Sequence, residues 1–263
     1  MLVILTTHTL VFALLCYPLS IGTRNNTASC FSIQRNLPIQ GIMEEIVKII
    51  SIQKITHDVK QYRLEKPPGY SFVPGQATDV SINKPGWKEE KRPFTFTCLP
   101  SRPYLEFTIK SYRDHSGVTN ELDQLKVGDQ LIIRDVWGAI QYNGEGYFIA
   151  GGAGITPFIA ILRDLKNRQI VGNNQLFFSN KTADDIILKS ELEEILKGNV
   201  FFMITQQNSG SEKAVRINEA YLKENIKDFN KHFYICGPDK MVSELSDTLV
   251  RLGAKPDAVV FEK

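Results

Sequence analysis

Hydrophobic and polar positions change their period once along this chain, close to residue 146. Between residues 45 and 142 they alternate, in 46–52, 59–64, 78–82, 94–97 and 105–110. A period of two puts neighbouring side chains on opposite faces, so each run is predicted to be a strand with one buried and one wet side. Turn formers separate the runs: Pro67–Pro68–Gly69, Pro74–Gly75, Pro85–Gly86, Pro100 and Gly128–Asp129. Short strands at such intervals predict a small antiparallel barrel or sandwich, with one helical interruption at 119–125.

Beyond Gly146 the pattern belongs to another fold class. Tyr147–Phe148–Ile149–Ala150 is an unbroken apolar run, suited to a strand buried on both faces. Helical segments are predicted at 156–165, 184–196, 217–225 and 239–252, and strands at 175–179, 200–205, 232–236 and 258–261. Strand–helix alternation of this kind predicts a doubly wound parallel sheet with helices on both faces. The expected organisation is a barrel domain over 43–144 and an α/β domain over 145–263. Residues 1–42 stand apart. Residues 1–22 are apolar, and 10–21 read like a short signal or anchor core, but no basic segment precedes them. Pattern sets in abruptly at Met43–Glu44–Glu45, which favours translation from Met43 and a cytoplasmic protein. A signal peptide or membrane tether is the other reading. No other stretch approaches the roughly 20 apolar residues of a membrane span.

Composition narrows the function classes. Of 263 residues, 43% are hydrophobic and 23% charged, and the formal net charge is only +2, so the concentrated basic face of a nucleic-acid binder is not expected. Cys16, Cys30, Cys98 and Cys236 form no CxxC pair and lie near no histidine cluster. Neither an iron–sulfur cluster, nor a disulfide framework, nor any metal site is expected.

Four segments carry candidate chemistry. Ala150–Gly151–Gly152–Ala153–Gly154–Ile155–Thr156–Pro157 sits where a buried strand meets a helix. Glycines there let backbone approach a phosphate, and the helix start offers free N–H groups. Thr156 is expected as the N-cap and Pro157 as the first helical residue. Cys236–Gly237–Pro238 lies at a second strand-to-helix junction, where it can border the same crevice beyond the strand ends. Arg92–Pro93–Phe94–Thr95–Phe96–Thr97 alternates a cation, aromatics and hydroxyls along one strand, and Gly117–Val118–Thr119 opens a short helix. Taken singly, each has an ordinary structural reading: a turn, a buried thiol, a sheet strand, a cap.

In this order and spacing, the segments resemble the ferredoxin–NADP reductase superfamily of flavoproteins over residues 45–263. The family's Arg-x-Tyr-Ser/Thr is similar to Arg92–Pro93–Phe94–Thr95, with Phe94 in place of the tyrosine. Its diphosphate segment is similar to Gly117–Val118–Thr119, its GG-x-G-x-TP turn to 151–157, and its Cys-Gly-Pro turn to Cys236–Gly237–Pro238. The resemblance implies an FAD-binding β-barrel, an NAD(P)-binding α/β domain, and hydride transfer from NADPH or NADH to FAD. It implies that Arg92, Gly117, Val118 and Thr119 hold the flavin diphosphate. Phe94 would stack on the flavin, Thr95 would meet its reactive nitrogen, and Pro93, Ile109 and Lys110 would line its strands. Gly152, Gly154, Thr156, Pro157, Gly237, Pro238 and Met241 would face the nicotinamide cofactor, and Cys236 would lie beside its ring. Glu262 matches an acidic residue near the family's C-terminus, which with Thr95 and Cys236 makes the catalytic set. Asn180 and Lys181 replace the arginine of NADP-preferring members; Lys181 tilts the expectation towards NADPH, as a flexible point charge. Asp184 and Asp185 are expected to cap the helix that follows.

The expected acceptor is a separate carrier such as flavodoxin or ferredoxin. Lys84, Lys88, Lys91, Arg92, Arg102, Lys110 and Arg113 would steer it if it is acidic. A ferric-chelate or free-flavin reductase, and an electron-transfer subunit active only when docked, are the alternative readings.

Overall fold

The computed structural model describes residues 44–113, 116–138, 140–206, 215–255 and 259–261, all within the compact unit formed by residues 40–263. The first half is an antiparallel sheet. Its strands are β1 (Glu45–Lys54), β2 (Val59–Glu65), β3 (Ala77–Ile82), β4 (Arg92–Thr95), β5 (Tyr104–Lys110) and β6 (Gln130–Trp137), with α1 (Val118–Asp123) between β5 and β6. Their order is β4-β3-β6-β1-β2-β5, and a bridge between Phe96 and Phe107 joins the two outer strands, closing the sheet on itself. The inward positions fill the barrel with Ile49, Tyr62, Leu64, Phe96, Phe107 and Ile133, all essentially without exposure. Phe96 stacks on Phe72 with ring centres 4.1 Å apart.

Strand β6 is missing from the alternating runs, and its burial explains why. Leu131 and Ile133 face the barrel core, but the opposite face is buried as well, through Ile132 and Arg134. The Arg134 guanidinium donates to Glu44 Oε1 (2.7 Å), Ser81 Oγ (3.0 Å) and the Lys88 carbonyl (3.3 Å). A strand wet on neither face shows no period of two.

The second half is a parallel sheet of β7 (Gly146–Gly151), β8 (Gln175–Asn180), β9 (Val200–Ile204), β10 (His232–Cys236) and β11 (Val259–Phe261), in the order β11-β10-β7-β8-β9. Its helices are α2 (Thr156–Asn167), α3 (Lys189–Leu196), α4 (Glu219–Asn225) and α5 (Asp239–Arg251). Buried side chains form clusters on both faces of the sheet, one with α2 and α3 and the other with α4 and α5. No helix among the described residues is long and apolar enough to cross a membrane.

Two local expectations need correction. Thr156 is not the N-cap of α2. Residues Gly152–Ile155 close a 3-10 turn that runs straight into the helix, so Thr156 is its first residue and its hydroxyl donates back to the Ala153 carbonyl (3.1 Å). The predicted helix at 184–196 is split. Asp185 accepts from the backbone N–H (2.9 Å) and hydroxyl (2.7 Å) of Thr182, which closes a separate short turn, and Leu188 in the left-handed region (φ 52°) restarts the chain as α3. Asp185 therefore caps that turn and not the helix.

The two halves meet along the outer face of β5. Leu105, Phe107 and Ile109 point into the barrel; Glu106, Thr108 and Lys110 point the other way. Glu106 accepts from Arg163 Nη1 of α2 (2.6 Å) and from Arg63 Nε of β2 (2.9 Å). Arg163 also forks onto Glu191 of α3 (2.5 and 2.8 Å) and donates to the Thr97 carbonyl (2.6 Å). Burial disfavours its charge, but Glu191 and Glu106 more than offset that and hold the guanidinium protonated. At the other end of the face, Lys110 Nζ lies 2.9 Å from Asp58 and 3.4 Å from Asp185.

Removing one partner of a buried ion pair strands the other, at a cost of about 3–5 kcal/mol. Arg163→Met is expected to lower unfolding stability by roughly that amount in urea titration, and a loss below about 1 kcal/mol would show the seam to be held by apolar packing instead. The Lys110 end is pH-dependent. Burial alone would lift the Asp185 carboxyl, but the Thr182 hydrogen bonds and the Lys110 ammonium hold it below its ordinary value. That stability is present above the unfolded carboxylate value of about 3.9 and is lost as pH falls through the lower folded value. Burial likewise works against the Lys110 charge, and Asp58 and Asp185 raise its pKa overall. This contribution is complete below the unfolded lysine value of about 10.4 and is lost as pH rises through the folded one. Asp185→Asn should flatten the fall in melting temperature below about pH 4; parallel acid profiles for the variant and the wild type would contradict this.

Candidate active site

In an open parallel sheet, the crevice for a ligand lies beyond the strand ends where the strand order reverses. Here that point is the pair β7 and β10. Their following turns are pressed together: a Cβ on Gly154 would collide with the Cys236 carbonyl, and one on Gly151 would press on the Met241 sulfur. Gly152 differs. Its φ is +53°, and no atom lies within 4 Å of where its Cβ would be, so it borders open space. Gly154 serves backbone packing, Gly151 makes way for the Met241 and Pro238 side chains, and Gly152 leaves room for a ligand.

That space is a cleft of about 820 Å³ between the barrel and the α/β half, within the usual size range for cofactor sites. Pro93, Phe94, Thr95, Ile109, Lys110 and Thr119 line it from the barrel side. Gly152, Gly154, Thr156, Asn180, Lys181, Cys236, Gly237, Pro238 and Met241 line it from the other. Residues chosen from distant segments of the sequence thus share one cavity. Four others do not reach its wall. Arg92 pairs with Val80, two positions along β4 from Phe94; its exposed guanidinium donates to the Lys91 carbonyl (2.6 Å) and lies 3.8 Å from Glu90. Val118 is buried in the barrel core, Gly117 flanks α1 without lining the cleft, and Pro157 is buried in α2. Glu262 lies outside the described residues.

The cleft also holds residues that the motifs did not indicate: Thr108, Tyr112, Trp137, Ser179, Asp185 and Thr205. Thr108 was within reach, since it shares a face with Lys110 two positions on. Trp137 ends β6, the strand without alternation. Asp185 read as a helix cap.

The polar groups fit a ligand rich in hydrogen-bond donors and phosphate. Asn180 is 3% exposed; its Nδ2 donates to the Phe178 carbonyl (3.3 Å), while its Oδ1 has no partner among the described residues. A buried acceptor left so costs about 1–3 kcal/mol, which a donor on a ligand removes. Lys181, exposed, brings positive charge to the α/β wall, whereas the Lys110 charge on the barrel wall is met by Asp58 and Asp185. His57, Asp58 and Asp185 bring potential metal-binding atoms within 4.8 Å of one another, but Lys110 already supplies the cation that these carboxylates need. Cys98 lies away from the cleft, and burial pushes its thiol up to about 11, so it is an inert core residue.

Comparison with known proteins agrees with this arrangement. The oxidoreductase FAD-binding domain profile matches residues 46–142, and the oxidoreductase NAD-binding domain profile matches residues 148–247. NADH-cytochrome b5 reductase 1 of Eremothecium gossypii is 30% identical over 77% of this chain and 78% of its own length. The reductase component of propane 2-monooxygenase from Rhodococcus jostii is 27% identical over 86% of this chain, which spans only 64% of that relative. Among solved structures, the CS-b5R domains of human Ncb5or in the NAD+ form superpose with a TM-score of 0.74 at 25% identity, over 86% of this chain and 71% of the other. The ferredoxin NADP+ reductase of Neisseria gonorrhoeae with bound FAD and NADP shares the fold, with a TM-score of 0.71 at 20% identity over 83% and 98%. Barrel, doubly wound sheet and seam cleft together are those of an NAD(P)H-dependent flavoprotein oxidoreductase, and the chain belongs to the ferredoxin–NADP reductase superfamily.

Proposed function

We propose that the seam cleft receives FAD on its barrel wall and the nicotinamide of NAD(P)H on its α/β wall, and that the electrons pass on to a separate carrier protein, flavodoxin or ferredoxin in kind. The observation that carries this reading is the meeting of Phe94 and Thr95 with Cys236–Gly237–Pro238 in a single cavity. FAD supplies the hydride acceptor; the chain supplies position. Phe94 gives an aromatic face, and Thr95 a buried hydroxyl beside it. The turn at 151–154 brings backbone close to the nicotinamide nucleotide, and Cys236, half-buried, sets the distance of its ring from the barrel wall. Lys181, exposed at the cleft edge, meets the far phosphate or ribose of the nucleotide.

A protein acceptor is supported by the names of the relatives, each of which pairs a reductase with another protein. It is supported too by the cleft rim, where Tyr112 and Trp137 are 46% and 38% exposed. The cationic face is smaller than the sequence suggests. Lys84 pairs with Glu121, Arg92 with Glu90, Arg113 with Asp123, and Lys110 with Asp58. Lys88, Lys91 and Arg102 remain for steering, with no carboxylate partner among the described residues.

Anaerobic stopped-flow mixing of the yellow protein with NADPH and then NADH is expected to bleach the flavin band within seconds, the faster nucleotide defining the preference. A flavin that neither nucleotide reduces would sink the reading. Gly154→Ala is expected to slow reduction by either nucleotide at least tenfold while dithionite still bleaches the flavin, since the substitution wedges the Cys236 turn away and leaves the barrel wall alone. Equal slowing by dithionite would place the damage in the flavin site. Lys88→Glu with Lys91→Glu should slow reduction of an acidic carrier several-fold at low salt and not at high salt; a salt-independent effect would rule out steering.

A further inference from the structure

Glu106 and Thr108 occupy the same face of β5, yet only Thr108 lines the cleft. Thr97 links them. Its Oγ1 lies 3.1 Å from Glu106 Oε1, 3.3 Å from the Glu106 carbonyl and 3.2 Å from Thr108 Oγ1. From the neighbouring strand, Gln61 Nε2 donates to Thr108 Oγ1 at 3.5 Å. None of the four side chains belongs to an exposed residue: Gln61 is 4% exposed, Thr97 0%, Glu106 1% and Thr108 5%.

Proton counting gives this chain a direction. A hydroxyl has one proton to donate, and an ionised carboxylate has none. Glu106 stands between the guanidinium groups of Arg163 and Arg63, so it is a carboxylate and accepts only. Both acceptors near the Thr97 hydroxyl, other than Thr108, belong to Glu106, and a bond to a charged oxygen outranks a neutral one. The Thr97 proton is therefore spent on Glu106. Thr97 can offer Thr108 only a lone pair, so the Thr108 proton turns inward to Thr97. Gln61 takes up one lone pair of Thr108, which leaves the other for a donor in the cleft that Thr108 lines.

We propose that Glu106, acting through Thr97, sets Thr108 as a hydrogen-bond acceptor for an N–H of the flavin ring. The inference rests on the reading that FAD occupies the barrel wall of this cleft. An isoalloxazine ring has such donors, N3–H in either redox state and N5–H once reduced. A threonine hydroxyl without this anchor would rotate and donate to a flavin carbonyl equally well. Glu106 and Thr97 touch nothing in the cleft and are positioning residues; Thr108 is the one that meets the cofactor.

The test is a double-mutant cycle on FAD affinity, with the full chain stripped of flavin and titrated. Glu106→Gln would remove the buried carboxylate that Arg163 and the part-exposed Arg63 share and threaten folding, so the anchor is cut at Thr97→Val, which leaves both of those ion pairs in place. Thr97→Val and Thr108→Val are each expected to weaken binding about three- to tenfold, the worth of one neutral hydrogen bond, with oxidised FAD if the bonded donor is N3–H and with reduced FAD alone if it is N5–H. The double variant should bind no more weakly than Thr108→Val alone. With 15N-labelled FAD, the proton of the bonded flavin N–H should move upfield in both single variants, and its identity tells N3 from N5. Affinity unchanged in Thr108→Val for both oxidised and reduced FAD, additive losses in the double variant, or an N–H resonance unmoved in both redox states would overturn the inference while the protein stays yellow and reducible. Weaker NAD(P)H binding with FAD unaffected would overturn it as well, by assigning the hydroxyl to the other ring. A wild-type protein that takes up no FAD would instead fail the reading of the cleft, and the inference with it.

Discussion

Arg163 leaves α2, crosses the boundary between the two halves and ends on Glu106 in the barrel wall. Bringing two charges out of water costs several kcal/mol per ion unless nearly every donor and acceptor is matched. The match here is close to complete: Glu191 takes two of the Arg163 donors, Glu106 and the Thr97 carbonyl take another, and Arg63 holds the second Glu106 oxygen. Such a set tolerates little displacement. It fixes α2 against β5, and since α2 begins at the glycine turn 151–154, it also fixes that turn against the barrel face that carries Phe94, Thr95 and Thr108.

The cleft follows from that constraint. Its two walls belong to different domains, so neither domain makes the site alone. What each contributes is set by ordinary geometry: alternation along β5 sends Glu106, Thr108 and Lys110 outward together, and the reversal of strand order brings the β7 and β10 turns side by side. Glycine at 154 is demanded by backbone contact between those turns, which is a stricter reason than access to a phosphate.

The same face is graded in chemistry. At one end Glu106 is locked among cations; at the other Lys110 is shared between Asp58 of the barrel and Asp185 of the α/β half. Thr108 lies between, linked to the first end through Thr97 and open to the cleft. The electrostatic fastening of the two domains and the polar lining of the site are therefore one continuous structure.

Much of this was legible in the amino-acid order. A period of two marked β1, β2, β3 and β5, a continuous apolar run marked β7, and the glycine and Cys-Gly-Pro turns marked the crevice, because all of these depend on neighbours only a few residues apart. Strand β6 escaped because its outer face is covered and Arg134 is buried there by Glu44 and Ser81. The helix at 184–196 proved to be two elements because Asp185 turns back on Thr182. Arg92 pointed to a diphosphate by motif, yet its guanidinium rests with Glu90 and the Lys91 carbonyl outside the cleft. Local periodicity and turn chemistry determined the two folds and where their strand ends lie. Which polar side chain faces which was decided by tertiary contact alone, since Arg163 and Glu106 are 57 residues apart and Lys110 and Asp185 are 75, and no local pattern encodes a partner at that distance.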